Sequence, residues 1–250
     1  MEDLPRYFTI REGGQRIHNP LGPGKLATLG EALRLPPGTT VLDLACGSGE
    51  MLCTWARDLG FTGTGVDVSS VFVGSAWERA RELGVEDKVE FMHRDASGYV
   101  AGEPVGVAAC IGATWIGGGV EGTVDLLRRS LAPGGIMLIG EPYWRKEPPD
   151  QETIERCHVG PVDNWQHGLA RLLESFGDIG LDVVEMVLAD GDSWDRYAAP
   201  HWLIVRRWLD ANPDDEMYAQ MRAELTEAPV NHVLYQREYL GWGVFALMDR

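Results

Sequence analysis

Three acids and two glycines stand at the ends of the first strand-like segments: Asp43, Gly47 and Gly49 in "VLDLACGSGE", Asp67 in "GVDVS" and Asp95 in "HRDAS". A glycine-rich turn between a strand and a helix lets a ligand approach the backbone and meet the free N–H groups at the helix start. Several nucleotide-binding folds share that device. A dinucleotide fingerprint, GxGxxG or GxGxxA, needs a small third residue, and here Leu52 stands in its place. Asp43 sets a negative charge against any phosphate in the loop and favours a cationic ligand without one. Asp67 lies 20 residues beyond Gly47, a spacing that dinucleotide sites share, so alone it does not discriminate.

In this order the segments resemble the motifs of class I S-adenosylmethionine-dependent methyltransferases. "VLDLACGSGE" resembles their first motif, with Ala45 where a glycine is commoner, and "LAPGGIMLIGEPYW" resembles the segment leading into their fifth strand. The likeness covers roughly residues 18 to 141 and is shared with uncharacterised bacterial small-molecule methyltransferases carrying "RIHNP" and "GEPYW" stretches. It implies a three-layer α/β, Rossmann-like fold, with a central, mostly parallel seven-stranded sheet and a cap or lid insertion after strand five. It implies S-adenosyl-L-methionine as cofactor, whose sulfonium and ammonium suit a carboxylate-rich loop. The cofactor residues would be Asp43, Ala45, Gly47, Gly49, Asp67, Val68, Asp95, Ala96 and Ile111. Among them Asp67 would accept both ribose hydroxyls, Asp95 the adenine amine, and the Ala96 amide would face the ring.

A sulfonium is already an excellent leaving group, so alignment supplies much of the rate, and a base is needed only where the attacking atom must lose a proton. Candidate bases are Glu141, at the expected end of strand five, His18 in the arm before strand one, Tyr143, and His158. Tyr7, Phe8, Trp115, Tyr143 and Trp144 are aromatic residues on the expected active edge, suited to a flat or apolar acceptor. The expected activity is methylation of a small molecule. A non-catalytic binder of the cofactor or its demethylated product, and methylation of a thiol or thiolate-held metalloid, are the alternatives. A nicotinamide-dependent oxidoreductase is disfavoured by Leu52 and by the lack of a Ser/Tyr/Lys constellation.

The elements that must position these residues alternate between strand and helix from about residue 40 onward, the pattern of a parallel sheet covered on both faces. "TTVLDLA", "FTGTGVDVS", "VEFMHRD", "VGVAACIGA" and "IMLIGEP" read as five strands, with helices between, the last closed by Pro133-Gly134-Gly135. Beyond Glu141 a proline-broken polar stretch reads as a cap, followed by a helix, the strand "LDVVEMVLA", amphipathic helices over 194 to 228 and a final strand in "GWGVFALMD". One domain is expected: an N-terminal arm over 1–38, a cofactor core over 39–141, cap elements and later strands over 142–235, and the closing strand over 236–250.

The 250 residues suffice for a sizeable core. A net charge of −16 and the lack of any basic run argue against nucleic acid as partner. The start lacks the pattern of a signal peptide and no apolar stretch reaches spanning length, so neither membrane nor export is expected and the location expected is cytoplasmic. Cys46, Cys53, Cys110 and Cys157 show no CxxC pair and read as free thiols, with no metal site. No pattern in the sequence specifies an oligomeric state.

Overall fold

The computed structural model describes residues 4–157 and 168–250. Its centre is a seven-stranded sheet in the order β3-β2-β1-β4-β5-β7-β6, with strands β1 (Thr40–Leu44), β2 (Thr62–Asp67), β3 (Val89–His93), β4 (Val105–Ile111), β5 (Leu131–Trp144), β6 (Leu181–Leu188) and β7 (Leu240–Asp249). Strands β1 to β5 pair in parallel, and β7 runs antiparallel between β5 and β6. The chain walks outward from β1 to β3 and then returns to place β4 on the other side of β1. The connections leaving β1 and β4 therefore diverge at their carboxyl ends, which opens the crevice where such sheets bind ligands.

Alternation of side chains along the central strands divides the core into two layers. Val41, Val107, Ala109 and Leu138 face helices α2 (Pro23–Ala32), α3 (Glu50–Asp58) and α4 (Ser70–Leu83). Leu42, Leu44, Ala108 and Ile139 face α5 (Val120–Arg128) and, beyond the short α6 (Gln151–Arg156), α7 (Leu169–Asp178). Strands buried on both faces explain why these segments read as continuous apolar runs. Gly49 begins α3 with φ +68°, and a Cβ there would sit 2.6 Å from the Phe91 ring and 2.8 Å from Ala76 Cβ, so glycine is what lets the helix pack down onto the sheet.

The cap expected beyond strand five is built mainly from α8 (Gly191–Ala211) and α9 (Tyr218–Asn231), between β6 and β7; the short α10 (Arg237–Tyr239) leads into β7. Val205 and Leu209 of α8 and Met221 of α9 form a separate small core, joined by Ile10 from the N-terminal helix α1 (Arg6–Glu12). Two distant parts of the chain thus build one cap.

Strand five departs from expectation at both ends. Helix α5 stops at Arg128, and Pro133-Gly134-Gly135 lies inside β5 as a bulge, where two steps along β4 (Val105 to Val107) span five along β5 (Leu131 to Ile136). Gly134 has φ +75° there. At its other end β5 continues through Trp144, because β7 pairs with it as far as Leu240. Glu141 and Tyr143 are therefore interior strand residues rather than residues of a loop.

Candidate active site

Every second residue of the turn after β1 is left-handed: Ala45, Gly47 and Gly49 have φ of +60°, +55° and +68°. Such a turn gathers backbone N–H groups into an anion-binding concavity. Here the protein supplies the anion itself. Asp67 Oδ2 accepts the Gly47 N–H at 2.8 Å, and its Oδ1 accepts the Ser69 N–H at 2.8 Å. Asp43 lies beneath the same turn, 4% exposed, and burial, then the Asp67 charge, push its carboxyl up to about 8. Two acids and an occupied amide leave no place for a phosphate.

Above the turn opens a cavity of about 810 Å³. Gly47, Asp67, Val68, Asp95, Ala96 and Ile111 line its sheet side. Its outer wall comes from Leu4, Pro5, Tyr7 and Phe8 of the N-terminal arm, and from Trp115 and Ile116 of the single 3₁₀ turn Thr114–Gly117 after β4. Trp115 is 66% exposed, a large apolar surface turned outward at the rim. A smaller pocket of about 60 Å³ reaches down to Asp43. Ala45, Gly47, Ile111 and His18 line both spaces, so they mark the junction between them. Gly49 lines neither; its work is the packing already described. Asp95 is exposed, and its Oδ1 accepts the Ser97 N–H at 2.8 Å, an Asx turn that holds the carboxyl below the usual range.

His18 is held over the turn from several sides. Its ring stacks on Phe72 with centroids 4.2 Å apart, its Nε2 lies 2.8 Å from Ser48 Oγ, and a Cβ on Gly47 would meet its Cδ2 at 2.6 Å. Behind it stands Glu12, 0% exposed, 3.4 Å from His18 Nδ1.

A methyltransferase-domain family model matches residues 41–135. The chain is 58% identical to the uncharacterised protein YjhP of Escherichia coli (strain K12), over 99% of this chain and 100% of that one. Two crystal structures of SAM-dependent methyltransferases in complex with S-adenosyl-L-homocysteine match it over the whole of both chains with TM-scores of 0.97. One is from Geobacter sulfurreducens, at 62% identity, the other from Thiobacillus denitrificans, at 57%. The chain belongs to the SAM-dependent methyltransferases.

In this methyltransferase the expected catalytic residues are not brought together. Glu141 is 3% exposed, and its Oε1 accepts the hydroxyl of Thr114, the first residue of the turn that carries Trp115. Tyr143 lies on the same side of β5 two residues on, and its ring covers Gly241 of β7 so closely that a Cβ there would be 2.1 Å away. It belongs to the core with Phe176 and Phe245, and burial raises its phenol. Trp144 packs into the opposite layer. Neither Glu141, Tyr143 nor Trp144 lines the cavity, because β5 runs on past the point where the sequence suggested its end. His158 lies outside the described residues.

Sequence reasoning missed Glu12, Ser48, Phe72, Thr114, Tyr197 and His201. Ser48 and Phe72 sit beside recognised motifs, so the motifs could have flagged them. Nothing in "RYFTIREGG" marks Glu12 as a fully buried carboxylate, since its partner Tyr197 is 185 residues away.

Proposed function

We propose that the enzyme transfers a methyl group from S-adenosylmethionine to a small, uncharged and largely apolar acceptor bound in the large cavity. The supporting observation is its lining: among the described residues no lysine or arginine lines it, its charges are Asp67 and Asp95 at the sheet, and its outer wall is Pro5, Phe8, Trp115 and Ile116. Its volume of about 810 Å³ lies in the upper part of the roughly 300–1,000 Å³ that ligand pockets span.

The residues present fit the cofactor. A cationic, phosphate-free nucleoside suits a turn whose own amide is already taken by Asp67, with Asp43 buried beneath it. Asp67 would accept the ribose hydroxyls, Asp95 and the Ala96 amide would meet the adenine beside Val68, and Asp43, at the floor of the small pocket with Ala45, would face the ammonium. Ile111 and Gly47 would flank the methionine chain, while Gly49 seats the helix. When bound, the sulfonium supplies the methyl group and leaves as a neutral thioether.

His18, at the junction of the two spaces, takes the role of base. Glu141 acts at a distance, holding Thr114 and with it the turn that bears Trp115. Burial pushes Cys53 and Cys157 up to about 12 and Cys110 higher still, so these three are thiols at neutral pH, which weighs against a thiolate-held metalloid.

Incubation with methyl-labelled S-adenosylmethionine and fractionated host metabolites, read by mass spectrometry, tests the reading. A labelled neutral, apolar product is expected. Label found only on an anionic or macromolecular acceptor would overturn it, and tight S-adenosylhomocysteine binding with no labelled product in any fraction would favour the binder.

A further inference from the structure

Four groups from two distant parts of the chain converge on Glu12. Arg11 Nη2 at 3.2 Å and Tyr197 OH at 3.0 Å meet Oε1, and His18 Nδ1 at 3.4 Å meets Oε2. His201 Nε2, one helical turn beyond Tyr197 on α8, is 3.1 Å from the same Oε2 but off the hydrogen-bond line. Burial alone would raise the acid, but the hydrogen bond from His18, the approach of His201 and the Arg11 charge together hold it well below the usual range. Glu12 is a carboxylate, and a carboxylate only accepts.

That fact decides which nitrogen of His18 carries the proton. A lone pair on Nδ1 facing Oε2 would be repelled, so Nδ1 is the N–H and Nε2 is left with its lone pair. We propose that Glu12 is a positioning residue for methyl transfer, fixing His18 in the Nδ1–H tautomer so that Nε2 offers a lone pair where the small pocket meets the large cavity. This deepens the assignment of His18 as base and rests on it. The ring has little freedom to evade the arrangement: Phe72 stacks on one face, Gly47 leaves just the space the Cδ2 edge fills, and Glu12 holds Nδ1.

In that tautomer the Ser48 hydroxyl, whose Oγ is 2.8 Å from Nε2, is the group that donates to it. The same Oγ lies 3.4 Å from the Gln15 carbonyl oxygen, a second acceptor to which it can turn when an acceptor hydroxyl or amine arrives. The acceptor's X–H bond then breaks with its proton passing to Nε2. The freed electron pair bonds the methyl carbon, and the C–S pair returns to sulfur. One positive charge moves from sulfonium to imidazolium, next to the Glu12 carboxylate.

The first test needs no altered base. With ¹⁵N-labelled histidine and S-adenosylhomocysteine bound, the His18 signal, assigned by its loss in His18→Asn, is expected to show a protonated Nδ1 and a bare Nε2. An Nε2–H tautomer would overturn the proposal. In Glu12→Gln, whose amide can either accept or donate, the single tautomer is expected to become a mixture while S-adenosylhomocysteine affinity stays within about 3-fold. An unchanged tautomer would count against Glu12. Once the acceptor is known, Glu12→Gln is expected to lower kcat about 10–100-fold with KM little changed, and Glu12→Asp to recover part of the loss. Full turnover in His18→Asn would sink the base assignment itself. Low turnover there with full turnover in Glu12→Gln would sink only the role given to Glu12.

Discussion

The carboxylate of Asp67, at the end of β2, accepts the backbone N–H of Gly47 in the turn after β1 at 2.8 Å. The acid that lines the cavity is therefore also the clasp of the loop it works beside. With the Ser69 amide on its other oxygen, it ties β1, β2 and the start of α4 into one rigid corner. A ligand meets an acceptor whose orientation has been set beforehand, which is the condition for strong binding at low entropic cost.

Asp67→Ala is accordingly expected to harm both folding and binding. Two amides lose a charged acceptor, each such bond contributing about 1.5–3 kcal/mol. Denaturant unfolding should show a loss of about 3–6 kcal/mol, and calorimetry on the folded fraction a fall of more than about 100-fold in S-adenosylhomocysteine affinity. A variant of unchanged stability would mean that the clasp contributes nothing.

Gly47→Ala should reveal its contact with His18. Its φ of +55° costs an L-residue about 1–2 kcal/mol, and the new Cβ would also drive into His18 Cδ2 at 2.6 Å. In a His18→Ala background only the backbone cost remains. The double-mutant cycle is thus expected to give a coupling of about 1 kcal/mol or more; additive losses would show that the ring moves aside freely.

Asp43 gives a pH signature. Its folded value of about 8 lies above the ordinary 3.8, so the folded protein binds the extra proton between them, and stability falls as pH rises from about 4 to about 8. Asp43→Asn should remove that slope and be the more stable protein at pH 8, the difference closing below about pH 4. A cationic ligand reverses the preference, so binding of S-adenosylmethionine near pH 7 should release a proton, seen as a dependence of binding heat on the buffer's ionisation enthalpy. Asp43→Asn should bind without that dependence.

Glu141→Gln keeps an acceptor for the Thr114 hydroxyl and is expected to change stability by under about 1 kcal/mol, with S-adenosylhomocysteine affinity intact. Glu141→Ala leaves that hydroxyl without its partner, a loss of about 1–3 kcal/mol. Since Thr114 opens the turn bearing Trp115, this variant should also shift tryptophan fluorescence and raise the acceptor's KM. Loss of cofactor affinity in either variant would place Glu141 at the cofactor instead.

The sheet side of the site was legible because its residues are close in sequence to the strands that carry them. An apolar run followed by Gly47 and Gly49, or ending at Asp67, states both the strand and its mouth. The alternation over β1 to β5 was readable for the same reason. The end of β5 was not, since Pro142 suggests a break and the antiparallel partner that prolongs the strand, β7, lies about 100 residues further on. Ala45 shows a subtler limit: it stands where the family more often has glycine, and its φ of +60°, which places it in backbone that favours glycine, is not readable from the residue type. The groups behind His18 were least legible, because Glu12, Tyr197 and His201 meet only through tertiary packing and no spacing announces them.

The cap that joins α1 to α8 has a consequence in time. Helix α1 is made before any strand of the sheet, but Tyr197, the partner of its Glu12, follows 185 residues later, after six of the seven strands have been made. Contacts across so long a span form late, so the nascent protein holds a formed nucleoside crevice well before it has a roof. Pulse-labelled hydrogen exchange during refolding should find the amides of α1 protected after those of β1 and β4, making the acceptor chamber the last part of the molecule to come into being.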